Sequence, residues 1–288
     1  MISLTNFSLK HLFLPNMKKI IIRIIFLSLV MFCCASLYSQ NWQHISEGLE
    51  YGAFPLEKTS KYGNSTVNII RINPAFYDFE LLLASEQGGK NRNIKDWVNE
   101  FNLIGGTNAG MFQTDYSTGC GYLVNYEHKN NPSRHTTYNM YFVCNPKSDS
   151  LPEAQMVDWE EPGVKNLIAQ YNSALQCIRM IAAGGENVWS KQTDLWSEAA
   201  LGQDIDGNIL FIFCRSPYAM HDLIDQLLLL PINLDKMMHL EGGPEASLYI
   251  DNNDFHLECM GSYETNFVEN DNQAAFWQIP NVIGIKKR

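Results

Sequence analysis

The chain has 288 residues, with 21 basic against 31 acidic side chains and a formal charge of −10. A surface that acidic argues against nucleic acid and anionic membranes as partners, while a few local cations would still suffice for an anionic substrate. About 250 residues beyond the N-terminal segment can bury a substantial core, so a single domain is expected.

The N-terminal segment is read as a targeting signal. Lys18 and Lys19 precede an uncharged apolar stretch, 24–35, which has signal-peptide rather than membrane-spanning length. Residues 1–39 are taken as a signal peptide cut after Ser39, with Met17 as an alternative start, giving a secreted or periplasmic protein. Lipid attachment at Cys33 or Cys34 competes, but bulky Met31 and Phe32 stand where small residues are wanted. Removing 1–39 leaves 17 basic against 31 acidic residues, a charge of −14, and no membrane span in the mature chain. The five remaining cysteines, Cys120, Cys144, Cys177, Cys214 and Cys259, lack a C-x-x-C pattern. One disulfide is allowed; a disulfide scaffold or zinc site is not supported.

Residues 40–64 read as an N-terminal extension and 65–288 as the domain. Alternating β-branched residues predict strands at 65–73 and 77–84, and Ile94, Trp97, Val98 and Phe101 fall at helical spacing over 93–101. Strands follow at 103–108, 121–126 and 136–144, then a helix over 164–175 and a strand over 176–185. Asp206-Gly207 is a hairpin turn between strands 199–203 and 208–214. Ser216-Pro217 has the form of a helix N-cap followed by proline at the first helical position, predicting a helix over 216–230. The stretch 237–285 is mainly strand. The expected class is α+β, one domain with a mixed, largely antiparallel sheet and a few packed helices.

Two glycine-rich segments carry the candidate site. In Leu240-Glu241-Gly242-Gly243 a carboxylate stands before a glycine pair, which suits a sharp turn or the close approach of a ligand. In Gly106-Thr107-Asn108-Ala109-Gly110, Asn108 offers both a donor and an acceptor; a tight turn is the competing reading. Glu198 and Asp204 are six apart and share a strand face, although Asp204 also fits the hairpin turn. Arg215 at a strand end suits an anionic group, and His239 adjoins the Glu241 segment. Trp189 and Trp196 are the tryptophans nearest the glycine-rich segments. The chain lacks G-x-S-x-G, H-E-x-x-H and a P-loop lysine.

The order of these pieces resembles the phosphodiester glycosidase family: Asn108 to Phe112, Gly119 to Leu123, Ala200 to Asp204 with Asp206-Gly207, Arg215-Ser216-Pro217, and Leu240 to Gly243. The resemblance runs from Ser65 to the C-terminus. The family typically has Asp where Glu241 stands, and Arg near Ser197 and Glu198. The resemblance implies a secreted hydrolase that cleaves a sugar C1–O–phosphate bond in a glycan or cell-envelope substrate, and so a carbohydrate or sugar-phosphate partner. By the same resemblance, Glu241 would be nucleophile or water-activating base, with Glu198 or Asp204 as second carboxylate, a divalent cation being one route by which it would act. Arg215 would hold phosphate, and Asn108, Gly110, Gly242, Gly243 and His239 would line the substrate. The alternative is a non-catalytic secreted glycan-binding protein on the same scaffold. A weaker third reading is an enzyme that processes peptidoglycan or teichoic acid.

Overall fold

The run 209–214 contains no polar side chain, and it lies in the middle of the largest sheet. A computed structural model describes residues 42–288; the predicted signal peptide, Met17, Cys33 and Cys34 lie outside the described residues. In chain order the elements begin with β1 (Gln43–Ser46), β2 (Leu49–Pro55), β3 (Thr66–Ile72), β4 (Tyr77–Leu83), α1 (Ile94–Glu100) and β5 (Gly105–Asn108). Next come β6 (Leu123–Asn125), β7 (His128–Asn131), β8 (Met140–Pro146), β9 (Ala154–Asp158), α2 (Val164–Ile168) and β10 (Tyr171–Cys177). Then follow β11 (Arg179–Ala182), β12 (Glu186–Asn187), β13 (Trp196–Asp204), β14 (Ile209–Tyr218) and α3 (Met220–Leu228). The chain closes with β15 (Leu234–Gly242), a 3-10 turn (Gly243–Glu245), β16 (Ser247–Asn252), β17 (Phe255–Met260) and β18 (Asn281–Lys287).

These strands make an eight-stranded sheet, β1-β2-β3-β14-β13-β15-β11-β12, and two five-stranded sheets, β7-β6-β10-β8-β9 and β17-β16-β5-β18-β4. The pairings are antiparallel among the described residues. One apolar core joins all three sheets, with Ile70, Phe211, Leu201 and Leu240 from the first, Phe142 and Leu175 from the second, and Phe79, Leu248 and Ile283 from the third. Burying a residue such as Phe211, which has no exposed surface, contributes about 2 kcal/mol or more from apolar area alone. The result is an α+β domain of largely antiparallel sheets with few helices. No helix among the described residues is long and apolar enough to cross a membrane.

Three sequence expectations are corrected. The helix expected over 164–175 stops at Ile168, and β10 follows, paired with β6 on one side and β8 on the other. Leu175 and Cys177 face the main core while Tyr171 and Ala174 join a second apolar cluster. A strand buried on both faces loses its period-two alternation, and its apolar residues then fall at spacing that looks helical. The strand expected over 176–185 is divided at Ile178 between β10 and β11, which belong to different sheets. Ser216 and Pro217 lie inside β14 and do not cap a helix. Pairing with β3 ends at Cys214, and β13 passes directly from Glu198↔Cys214 to Trp196↔Tyr218. Arg215 to Pro217 therefore sit in a bulge, where proline's missing N–H breaks no ladder bond. Helix α3 starts at Met220 after Ala219 and buries Met220, Leu223, Ile224 and Leu227. The Asp206-Gly207 turn forms as expected, with Gly207 at φ +85°. All five described cysteines are free thiols.

Candidate active site

Strand β13 turns Ala199 and Leu201 toward the main core, so alternation places Glu198 on the opposite face. Strand β15 behaves likewise, with Met238 and Leu240 in the core and His239 opposite. Glu241 pairs with Ala199, and His239 pairs with Ala200, so Leu240 is an extra residue in a β-bulge. The bulge interrupts the alternation between His239 and Glu241 at the strand end. His239 donates from Nδ1 to Glu198, at 2.8 Å to Oε1 and 3.0 Å to Oε2. Glu198 has no exposed surface and also accepts a hydrogen bond from Trp196 Nε1 at 2.8 Å. This arrangement fixes the imidazole and leaves Nε2 without a hydrogen-bond partner among the described residues. Trp189 and Trp196 approach the ring with centroids at 6.1 and 6.3 Å.

Beyond the bulge, Glu241 accepts the amide of Gly242 at 3.1 Å, and the chain turns through Gly243–Glu245. Both glycines are needed for packing. A Cβ on Gly242 would lie 2.8 Å from Trp196 Cδ1; one on Gly243, which has φ +60°, would lie 2.3 Å from Glu264 Oε2. Asn108, at the end of β5, holds the turn from below. Its Nδ2 donates to the Glu245 carbonyl at 3.0 Å, and its Oδ1 accepts the Ser247 amide at 2.8 Å. Asn108 therefore acts on the backbone that carries Glu241 and Glu245. Gly110, with φ +78°, packs so that a Cβ would meet Cys177 Sγ at 2.8 Å.

The cluster is rich in carboxyls and poor in cations. Burial pushes the Glu241 carboxyl up to about 8, with His239 opposing and Glu245 and Glu198 adding to the shift. Burial also raises Glu245 to about 7 and moves Glu264 upward. Burial works to lower the His239 imidazole, but the charge and hydrogen bond of Glu198 outweigh it and the net shift is upward. Glu198 is itself moved upward by burial, partly offset by His239 and Trp196. The pair is best described as one site that holds a proton more firmly than a free histidine. Cys120, Cys177 and Tyr138 lie within electrostatic reach of Glu241; burial is the main cause of their upward shifts, and Tyr138 reaches about 12.

Several residues named from the sequence are held by partners other than these glutamates and His239. Arg215 Nε bonds Asp271 at 2.7 Å, Nη1 the Met260 carbonyl at 2.8 Å and Nη2 the Gln273 carbonyl at 3.1 Å. It binds together the segment after β17. Asp204 lies at the far end of β13, where it accepts the amides of Asp206 and Asn208 at 3.0 and 2.9 Å, the turn role foreseen for it. Arg179 pairs with Asp158 at 2.8 Å. A cleft of about 530 Å3 lined by Asp78, Glu80, Phe101 and Tyr126 is formed elsewhere, beside edge strand β4. The structure adds Glu245 and Glu264, which sequence reasoning passed over. Glu245 follows the Gly-Gly pair by two positions and could have been found that way; Glu264 has no local motif.

Among the described residues, no group of three or more His, Cys, Asp or Glu is arranged to hold a metal ion. Two of the solved structures that match show the fold. One is the zebrafish N-acetylglucosamine-1-phosphodiester alpha-N-acetylglucosaminidase catalytic domain, auto-inhibited by its pro-peptide. It aligns with a TM-score of 0.60 and 12% identity over 85% of this chain and 86% of that one. The other is a hypothetical protein from Synechocystis, with a TM-score of 0.55 and 11% identity over 86% of this chain and 63% of that one. A comparison with curated proteins returns no match. A sequence profile described as "Phosphodiester glycosidase" matches residues 101–286, which hold the Asn108 segment, the Glu198–His239 pair and the Glu241 turn. The chain belongs to the phosphodiester glycosidase family.

Proposed function

We propose that this protein is a secreted hydrolase that cleaves the bond between a sugar C1 and a phosphate oxygen in a glycan or cell-envelope substrate. The observation that carries the reading is the bulge that brings the buried His239–Glu198 pair and Glu241 together at the end of β15, with burial pushing the Glu241 carboxyl up to about 8. Family membership supports the class of bond, as does the fold shared with a zebrafish enzyme whose name specifies an N-acetylglucosamine-1-phosphodiester. The basic-then-apolar pattern of residues 18–35 supports export.

In this reading Glu241 acts as a general acid at neutral pH, in place of the nucleophile or base expected from its sequence. Among the described residues no Lys or Arg is ion-paired to Glu198, Glu241, Glu245 or Glu264. A departing phosphate gains charge, and a proton from Glu241 offsets that charge. Water attacks C1, the C1–O bond breaks, and its electron pair stays on the phosphate oxygen, which takes the Glu241 proton. Once the His239–Glu198 pair has released its extra proton, the proton of the attacking water passes to His239 Nε2, and Glu198 stabilises the resulting imidazolium. The products are a free sugar and a phosphate monoester. Asn108 serves by holding the turn in place.

A panel of sugar-1-phosphodiesters incubated with the purified chain tests the reading. Release of free sugar is expected. Tight binding with no release would assign the scaffold to glycan binding instead.

A further inference from the structure

Glu264 has no counterpart in the sequence motifs, yet it occupies the space left open by Gly243. Its Oε2 lies 2.3 Å and its Cβ 3.0 Å from where a Cβ on residue 243 would be. The backbone around it is fastened to the start of β13. Ser197 donates to the Tyr263 carbonyl at 2.9 Å, Thr265 donates to the Leu195 carbonyl at 2.9 Å, and Glu264 forms bridges with Trp196 and Val268. The side chain is half-buried, and among the described residues its carboxylate has no hydrogen-bond or ion-pair partner. The carboxylate on this fastened backbone has two oxygens free to accept. It lies beside an angled pair of indoles, Trp189 and Trp196, with centroids 6.2 Å apart and planes at 60°.

We propose that Glu264 is a sugar-recognition residue, its carboxylate accepting hydrogen bonds from two adjacent hydroxyls of a neutral pyranose whose apolar face rests on Trp196. A carboxylate suits donors such as hydroxyls and repels phosphate, so this side of the site takes the sugar and the phosphate lies toward Glu241. Aromatic rings present an apolar face to ring C–H groups while polar neighbours read the hydroxyls. The glycine pair after Glu241 thereby gains a role, because Gly242 makes room for Trp196 and Gly243 for Glu264. The assignment rests on the reading of this cluster as a glycosidase site.

The purified chain is titrated with glucose, galactose, mannose and N-acetylglucosamine, followed by tryptophan fluorescence and calorimetry. The sugar bound most tightly is then compared with its monodeoxy derivatives. At least one sugar should bind, and removing one hydroxyl of the recognised pair should weaken binding about tenfold or more. Glu264→Gln should weaken the parent sugar to a similar extent, and its effect should not add to that of the deoxy sugar, while its thermal melt matches wild type. No binding by any sugar, equal binding by every deoxy derivative, or unchanged binding by a folded Glu264→Gln would overturn the assignment. The deoxy series needs no variant, so the test survives if Glu264→Gln folds poorly. Sugar binding without phosphodiester turnover would sink the glycosidase reading and leave Glu264 as proposed. Turnover with an unchanged KM in Glu264→Gln would do the reverse.

Discussion

Glu198 and His239 meet at 2.8 Å because β13 and β15 pair out of step by one residue beside them. With Leu240 as the extra residue, His239 stays on the Glu198 face and Glu241 pairs with Ala199 near the end of β15. One bulge thus assembles a buried pair and a separate carboxyl from three residues of simple strands.

Removing one member of that pair should cost more than removing both. His239→Ala leaves Glu198 buried and unpaired, and chemical denaturation should show a loss of about 3–5 kcal/mol. Glu198→Gln with His239→Ala should recover part of that loss, since a neutral amide is easier to bury. Equal losses for the single and the double variant would contradict the pairing.

Glu241 makes the folded protein sensitive to alkali. Its carboxyl titrates near 4.5 when unfolded and at about 8 when folded, so between those values the native state holds the extra proton. Stability should therefore fall as pH rises from about 4.5 to about 8 and level off beyond. Glu241→Gln removes this dependence, and thermal melts should show it gaining on wild type at pH 8 but little at pH 4. A variant that melts in parallel with wild type across this range would place Glu241 in a solvated setting.

Arg215 should behave as a structural cation. Its bonds to Asp271, Met260 and Gln273 hold the segment after β17. Arg215→Gln should lower stability by about 1–3 kcal/mol, and the folded fraction should keep the wild-type KM for a sugar-1-phosphodiester. A large rise in KM with unchanged stability would return Arg215 to the phosphate.

Asp204→Ala should weaken the hairpin between β13 and β14 by about 1–2 kcal/mol, because two turn amides lose their acceptor. Turnover of a sugar-1-phosphodiester by the folded chain should be unaffected. A loss of turnover without a loss of stability would make Asp204 a second catalytic carboxyl after all.

What could be read from the sequence follows from how locally each feature is determined. Strands β3 and β4, helix α1 and the Asp206-Gly207 turn depend on residues a few positions apart, and they form where expected. Strand β10 was hidden because both its faces are buried, and Ser216-Pro217 because a bulge next to β13 accepts a proline that would otherwise signal a helix. The Glu241-Gly242-Gly243 segment stood out by composition, but the reason for the two glycines lay in Trp196 and Glu264, both remote in the sequence. The partners that hold Arg215, 45 to 58 positions away, have no motif to announce them.

The most direct test measures wild-type and Glu241→Gln turnover of an N-acetylglucosamine-1-phosphodiester between pH 5 and 10. Wild type should release free sugar at a rate that rises as the His239–Glu198 pair loses its extra proton and declines as pH passes about 8, where Glu241 loses its own, and Glu241→Gln should be slower by about a hundredfold or more. A wild-type rate that climbs through pH 8, or full turnover by Glu241→Gln, would contradict the assignment of Glu241 as the acid.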